Sequence, residues 1–288
     1  MQLLGHDVDV THASPELVTL LSGYFTAKTG RRVDETMSYF ASEMAYVDAT
    51  LGWSWHGWAE LHAAFGEYMP NWADTAQAYP TAVLGDTGSA VVRFTDTPEL
   101  FGHEIRGIAA ISFTGGKISR WVDYWDGRQF TLDGIAGQRL PAGQFPSDLG
   151  EGLGGDSRTA AIQPIAHRVA AALSAAEPAA AVELFSDDVV LEDLSLRTTI
   201  TGRRAVARYL DRSLPHLPYG AGSKVRHVLG GASGGGFEWI SGSGPVPHGI
   251  VAVSADGTGV VDRLSAAWDA SLLTDDALGR LQALGIDR

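Results

Sequence analysis

The chain contains no cysteine among its 288 residues. This absence excludes disulfide bonds, thiolate metal ligands and a cysteine nucleophile. No stretch approaches the roughly 18 consecutive apolar residues that indicate a membrane-spanning helix. The first ten residues, MQLLGHDVDV, also lack the basic segment and long apolar run of a secretory signal. We therefore expect a soluble, cytoplasmic protein.

Positive charge is also scarce, because 21 lysines and arginines stand against 34 acidic residues, a net charge of −13. Binding to nucleic acid or to an anionic membrane needs a basic face, so neither is expected as a partner. Apolar residues make up 45% of the chain, which is enough for two hydrophobic cores in a chain of this length.

The sequence does contain an internal similarity between its two halves. The matches at an offset of 145 residues are Phe40 with Phe185, Asp48 with Asp193, Gly57 with Gly202 and Pro70 with Pro215. Those at an offset of 143 residues are Gly116 with Gly259, Arg120 with Arg263, Trp125 with Trp268 and Asp126 with Asp269. A two-residue slip between the blocks is what a difference in loop length produces. We interpret the chain as a tandem repeat.

Each half shows the same predicted order of elements. Two helices, the second ending near Phe40 or Phe185, precede a short strand at 45–49 or 189–194, and Gly57 or Gly202 then opens a third helix. A run of further strands completes the half, and in the first half these are expected at 78–84, 90–95, 104–113 and 118–125. The pattern predicts an α+β fold in which a curved, mostly antiparallel sheet wraps around about three helices to form a cone. The expected divisions are a first domain at 1–130, a Gly/Pro-rich linker at 131–157 and a second domain at 158–288.

Several short strings resemble the nuclear transport factor 2-like superfamily and, within it, the SnoaL-like polyketide cyclase branch. They are YVDA and LEDL at the end of a strand, GWAELHAAF and GRRAVARYL opening a helix, and GKI-x-x-W in the last strand of the first half. The resemblance implies an internal pseudo-dimer, since members commonly pair through the outer face of the sheet. It leaves the activity open, because that superfamily includes cyclases, ketosteroid isomerases, epoxide hydrolases, dehydratases and non-catalytic proteins.

Two acids are candidate catalytic residues. The resemblance implies that the acid ending the first strand and the acid in the last strand face the pocket, which here are Asp48 and Asp123. Strand alternation places Asp123 on one face with Trp121 and Trp125. A carboxyl in an apolar pocket has a raised pKa, which suits general acid–base catalysis. The alternative for each acid is that it caps a turn or pairs with an arginine.

The aromatic residues are concentrated in the first half, which holds six of the eight tryptophans. Such side chains stack on flat or unsaturated ligands, although several could instead fill the core. The candidate substrate-binding residues are Tyr24, Tyr46, Trp53, Trp55, Trp58, Trp72 and Trp121. Trp125 of the first half has an equivalent in the second half, Trp268, and we interpret the two as structural residues.

His56 and His103 are further catalytic candidates, because histidine transfers protons near neutral pH. The second-half candidates are Asp193, His248 and Asp262, of which His248 and Asp262 resemble a His/Asp pair of polyketide cyclases. That half departs from the first, since Ala266 answers to Asp123 and Thr201 to His56. The second copy is therefore either a structural partner or the site of a different step.

The leading hypothesis is a cofactor-independent tailoring enzyme of secondary metabolism, such as antibiotic biosynthesis, that cyclises or isomerises a small hydrophobic or polyketide-like substrate. The runner-up is an epoxide-opening hydrolase or cyclase of polyether-type biosynthesis, in which Asp74 would assist Asp48, although Tyr219 stands near the corresponding position of the second half. The third is a non-catalytic binding or scaffold protein.

No metal or cofactor is expected, because the sequence has no close histidine and acid cluster and no phosphate-binding motif. GASGG at 231–235 fits the G-x-S-x-G pattern, but it leads into a strand rather than a helix and predicts a hairpin loop. A monomer is compatible with the internal pairing.

Overall fold

A computed structural model describes residues 1–153, 162–242 and 244–286. The end of the expected linker, 154–157, and the start of the expected second domain, 158–161, lie outside the described residues. Within them the chain forms two α+β halves, each built around one curved sheet. No helix in the described ranges is long and apolar enough to cross a membrane.

The first half begins with a small hairpin and continues through the following elements: β1 (Gln2–Leu3), β2 (His6–Asp7), β3 (Asp9–Ala13), α1 (Pro15–Thr29), α2 (Val33–Met37), β4 (Phe40–Asp48), β5 (Trp53–His56), α3 (Trp58–Tyr68), β6 (Ala78–Gly85), β7 (Ser89–Asp96), α4 (Pro98–Phe101), β8 (Ile105–Thr114), β9 (Lys117–Trp125) and α5 (Leu132–Gln138). Helix α1 starts where Ser14 accepts a hydrogen bond from the backbone N–H of Leu17, as its cap-and-proline sequence predicts.

The main sheet of this half has the strand order β3-β6-β7-β8-β9-β4-β5. Strand β4 lies parallel to β9, in a register that places Asp48 beside Asp123. Helices α1 and α3 pack against the inner face of the sheet, where Tyr24 and Phe65 join Trp121 in one hydrophobic core. This arrangement brings the ends of β4 and β9 to the open end of the cone.

The second half repeats this order from the described part of its first helix: α6 (Gln163–Ser174), α7 (Pro178–Val182), β10 (Phe185–Asp193), β11 (Thr198–Thr201), α8 (Arg203–Ser213), β12 (Lys224–Gly230), β13 (Gly234–Ile240), β14 (His248–Ala255), β15 (Val261–Trp268) and α9 (Asp275–Ala283). Its sheet order is β11-β10-β15-β14-β13-β12. The parallel pair β10 and β15 places Asp193 beside Ala266, the position that Asp123 occupies in the first half.

The two sheets pack outer face against outer face. Their contact is a third hydrophobic cluster, in which Val47, Ile108 and Val122 of the first half meet Ile250 and Ala252 of the second.

Two hydrogen bonds between the halves are reciprocal, because each joins a backbone N–H of one half to the equivalent carboxylate of the other. The N–H of Ala270 donates to the Oδ1 of Asp126 over 3.2 Å. The N–H of Gly127 donates to the Oδ1 of Asp269 over 3.1 Å. The chain is therefore an internal pseudo-dimer with approximate two-fold symmetry.

Three local features differ from the sequence predictions. The second helix of each half ends at Met37 or Val182, and Phe40 and Phe185 already begin strands. Strands β5 and β11 were not expected before the third helices. The segment expected as a linker includes helix α5, which Thr131 caps by accepting a hydrogen bond from the N–H of Gly134. The sequence did not reveal this helix because its seven residues, LDGIAGQ, contain too few apolar side chains to show a helical period.

Candidate active site

The first half encloses an apolar cavity of about 220 Å³ at the open end of the cone. Most of its wall is aromatic, formed by Tyr46, Trp53, Trp55, Phe65, Tyr68, Trp72, Phe94, Phe101, Trp125 and Phe130. The polar groups in the wall are Lys28, Asp48, Asp96, Asp123 and Gln138. A cavity with few convergent polar groups in an aromatic wall is the usual form of a small-molecule site.

Asp123 is a buried acid of this wall, with 8% of its surface exposed. Alternation along β9 turns it inward, and two neutral donors hold it. Tyr46 donates from Oη to Oδ2 over 2.6 Å, and Trp121 donates from Nε1 to Oδ1 over 2.6 Å. Burial raises the pKa of Asp123 to about 7, with the charge of Lys28 opposing the shift. Both protonation states are consequently populated near neutral pH.

Asp48 also lines the cavity, but its carboxylate is largely occupied by the turn that follows β4. Its Oδ1 accepts hydrogen bonds from the N–H groups of Thr50 and Leu51, at 2.9 and 2.8 Å. Its Oδ2 accepts from Trp125 Nε1 at 3.0 Å. Burial raises its pKa to about 6, and these donors oppose the shift. Asp48 thus caps a turn as well as facing the cavity.

The second half repeats that turn without the second acid. Asp193 accepts from the N–H groups of Ser195 and Leu196 and from Trp268 Nε1, the same set of donors. Burial raises the pKa of Asp193 to about 6 as well. Because these bonds recur where the neighbouring position is alanine, they belong to the fold. The acid that distinguishes the first half is Asp123.

Sequence reasoning missed two charged residues in the cavity wall. Lys28 of α1 and Asp96 of β7 form an ion pair of 3.6 Å, Nζ to Oδ2, with side chains only 7% and 6% exposed. Burial raises the pKa of Asp96, and Lys28 opposes the shift. Its Oδ1 is buried and accepts no hydrogen bond from the described residues.

A periodic signal for this pair was present in the sequence. Lys28 continues the buried stripe of α1 that contains Leu21 and Tyr24, at helical spacing. Asp96 lies two residues after Phe94 in β7, so both side chains are on the inner face of the sheet. A charged residue on an otherwise apolar face is the indication that could have found each of them.

Four of the seven predicted aromatic contacts line the cavity, namely Tyr46, Trp53, Trp55 and Trp72. The other three lie elsewhere. Trp121 is behind Asp123 and supports it through Nε1. Tyr24 is fully buried against Trp121, with ring centroids 4.9 Å apart. Trp58 turns to the helices, because its Nε1 donates to Met37 O over 2.9 Å and its ring stacks on His62.

The two predicted histidines are outside the cavity wall. His56 is exposed, since alternation along β5 directs it away from the face that carries Trp53 and Trp55. His103 packs beside Phe130, with ring centroids 4.7 Å apart, and Phe130 rather than the imidazole lines the cavity. Asp74 is 89% exposed and pairs with Arg31 at 2.5 Å, so it does not join Asp48 in one site.

The second-half candidates do not form a common site. Tyr219 fills the interior beside Asp193 and donates from Oη to its Oδ2 over 3.0 Å. His248 lies between the halves, where its Nε2 is 2.8 Å from Ala49 O and burial lowers its pKa. Asp262 accepts from Ser254 at the other end of the β14–β15 pair. His248 and Asp262 are therefore too far apart to act as a pair.

The described residues contain no group of three or more histidine or acidic side chains that could hold a metal ion.

Comparison with solved structures finds proteins that each cover less than half of this chain. One, described provisionally as a ketosteroid isomerase from Kribbella flavida DSM 17836, is 24% identical and covers 46% of this chain and 94% of its own, with a TM-score of 0.33. Another, described provisionally as a SnoaL-like polyketide cyclase from Shewanella denitrificans OS-217, is 16% identical and covers 43% and 97%, with a TM-score of 0.35.

A third solved structure, an NTF2-like protein of unknown function from Burkholderia xenovorans LB400, is 14% identical and covers 38% of this chain and 82% of its own, with a TM-score of 0.34. No family model matches the chain, and no curated protein matches it in sequence. A function for this chain is therefore inferred from the residues that line the cavity.

Proposed function

We propose that the chain is a cofactor-independent isomerase or cyclase that moves a proton on a small, apolar carbonyl compound bound in the first-half cavity. The observation that carries the proposal is the inward-facing carboxyl of Asp123, whose pKa burial raises to about 7 within an aromatic wall. A base with a pKa near the working pH combines availability with proton affinity.

In this mechanism the ionised Asp123 takes a proton from the carbon next to the substrate carbonyl. The electron pair of the broken C–H bond forms an enolate. An isomerase returns the proton from Asp123 to another carbon of the conjugated system. In a cyclase the enolate carbon attacks a second carbonyl carbon of the same molecule, the π pair of that C=O bond moves to its oxygen, and this oxygen takes the proton from Asp123. Tyr46 and Trp121 keep the carboxyl in one orientation throughout, through their hydrogen bonds of 2.6 Å.

The aromatic wall supplies positioning rather than proton transfer. It excludes water and holds a flexible substrate in a reactive conformation, which lowers the entropic barrier to ring closure. The cavity of about 220 Å³ is smaller than the roughly 300–1,000 Å³ of sites for drug-sized ligands. We infer a substrate of one or two rings, or one end of a longer polyketide-type chain.

A small β,γ-unsaturated ketone, 3-cyclohexenone, is a suitable probe, because the shift of its double bond gives a conjugated product with a distinct ultraviolet absorbance. We expect Asp123→Asn to lower kcat/KM by about 10²–10⁴-fold, the usual contribution of a positioned acid or base. Asp74→Asn is the control, since Asp74 is an 89% exposed acid of the same half that does not line the cavity. It should leave the rate unchanged.

The same variants separate this proposal from a non-catalytic binding protein. A binding protein would give two results together: the ketone would quench the tryptophan fluorescence of the wild type, and no product would form above the Asp123→Asn background. In that case the cavity is a binding site and the enzyme proposal is wrong.

A further inference from the structure

We propose that Lys28 and Asp96 form a recognition subsite for adjacent carbonyl and hydroxyl oxygens, so that the ligand of the cavity is a small hydroxyketone. This inference rests on the proposed function, since it names the substrate class of the same cavity. The observation behind it is a buried ion pair that uses only part of its hydrogen-bonding capacity.

Lys28 supplies the donor side of the subsite. Its ammonium group has three N–H donors, and among the described residues its charged partner is Asp96, 3.6 Å away. The side chain lies in the cavity wall at 7% exposure, so a group that uses the remaining donors has to come from inside the cavity. A carbonyl oxygen, which accumulates negative charge when the neighbouring proton leaves, fits such a donor.

Asp96 supplies the acceptor side. Its Oδ2 faces Lys28, while its Oδ1 is buried and accepts no hydrogen bond from the described residues. A buried carboxylate oxygen without a donor is costly, which favours a ligand that brings one. A hydroxyl group is the neutral donor that suits an otherwise apolar cavity.

The spacing of the pair favours oxygens on adjacent carbons. Because Lys28 Nζ and Asp96 Oδ2 are 3.6 Å apart and both residues line the cavity, a donor and an acceptor lie close together in its wall. In a hydroxyketone of this type, the carbon that bears the hydroxyl group also lies next to the carbonyl. Its proton is therefore of the kind that Asp123 is proposed to remove.

The test compares the affinities of 2-hydroxycyclohexanone and cyclohexanone by isothermal titration calorimetry. We expect the wild type to bind the hydroxyketone about 10-fold more tightly, the effect of roughly one additional net hydrogen bond. The double variant Lys28→Met/Asp96→Leu should bind both compounds equally. Replacing both partners by apolar residues leaves no unpaired buried charge, so the fold is expected to persist.

Phe94→Leu is the matched control, because Phe94 lines the same cavity on the same strand as Asp96 and leaves the ion pair intact. It should keep the preference for the hydroxyketone. The inference is overturned if the wild type binds the two compounds equally or binds neither, or if the double variant keeps the preference.

Failure of the inference and failure of the proposed function give different results. Asp123→Asn should retain the hydroxyketone preference while losing turnover of 3-cyclohexenone. A preference for the hydroxyketone without any turnover by the wild type would contradict only the enzymatic proposal. Turnover without a preference would contradict only the subsite.

Discussion

At the scale of single residues, the burial of Asp123 makes the free energy of unfolding of the chain depend on pH. Its pKa is about 7 in the folded chain against an ordinary value of 3.8, because burial disfavours the charged form. The folded state therefore holds this proton more tightly than the unfolded state does. The stability that this provides is complete below about pH 4 and is lost as the pH rises to about 7.

Asp123→Asn should remove that dependence, because asparagine stays neutral. Relative to the wild type, the free energy of unfolding of the variant should rise between about pH 5 and about pH 8, by on the order of 2–3 kcal/mol. Urea unfolding at both pH values measures it. The exposed Asp133 offers the control, and Asp133→Asn should show no such change. An equal offset for Asp123→Asn at both pH values would contradict the raised pKa.

Residue-level prediction from sequence succeeded where alternation along one strand sufficed. An inward orientation of Asp123 was expected from its parity with Trp121 and Trp125 along the strand, and Asp123 lines the cavity. The Lys28–Asp96 pair joins α1 to β7, and no local motif links residues so distant in the chain. Trp58 does not line the cavity, and its Nε1 donates a hydrogen bond to Met37 O instead, a contact that strand parity could not indicate.

At the scale of elements, strand β9 divides its side chains between two tasks. Its inner face carries Asp123, whereas its outer face carries Arg120 and Tyr124 into the contact between the halves. Arg120 pairs with Glu238 of β13 at 2.8 Å, and both side chains are fully buried. Tyr124 donates to the same carboxylate over 2.7 Å. Burial alone would raise the pKa of Glu238, but Arg120 and His227 hold it well below its usual range.

Arg120→Met should therefore destabilise the chain by about 3–5 kcal/mol, because it leaves the buried charge of Glu238 without its arginine partner. Arg120→Met/Glu238→Gln should recover much of that loss, since it removes the charge together with its partner. Denaturant unfolding of the two variants gives the comparison. If the double variant is less stable than Arg120→Met, the network is not held by this ion pair.

Element bounds were predictable where apolar periodicity was strong. The third helices follow Gly57 and Gly202 as expected, and four strands of the first sheet lie close to their predicted positions. The starts of β4 and β10 were missed because the polar residues Ser42 and Glu43, or Asp187 and Asp188, interrupt their apolar pattern. Strand β5 was missed because it has only four residues, WSWH, and ends directly before the helix start at Gly57.

At the scale of the whole molecule, pairing within one chain covers the outer faces of both sheets. The buried cluster contains Val47, Val91 and Val122 from one sheet and Leu229 and Ile250 from the other. Since these faces are already paired, a second chain is not needed to bury them. We predict a monomer of 30.5 kDa in sedimentation equilibrium. A concentration-dependent mass of twice that value would contradict this prediction.

The fold class followed from the order of elements, and the offset of 143 residues already aligned Ala266 with Asp123. The strand register adds the spatial arrangement, since it places Asp48 beside Asp123 and Asp193 beside Ala266. In the interior of the second half, Tyr219 donates a hydrogen bond to Asp193. This contact joins residues 26 positions apart, and no sequence pattern predicted it. We therefore propose that the chemistry takes place in the first half and that the second half has a supporting role.

The pH dependence of kcat/KM for 3-cyclohexenone tests the central claim most directly, because it reports the ionisation of the base in the free enzyme. If Asp123 is that base, kcat/KM should rise with pH, reach half of its maximum near the pKa of about 7, and fall about tenfold per pH unit below it. Asp123→Asn should give a low rate without this step. A rate that decreases as the pH passes 7, or a wild type no faster than Asp123→Asn at any pH, would contradict the account.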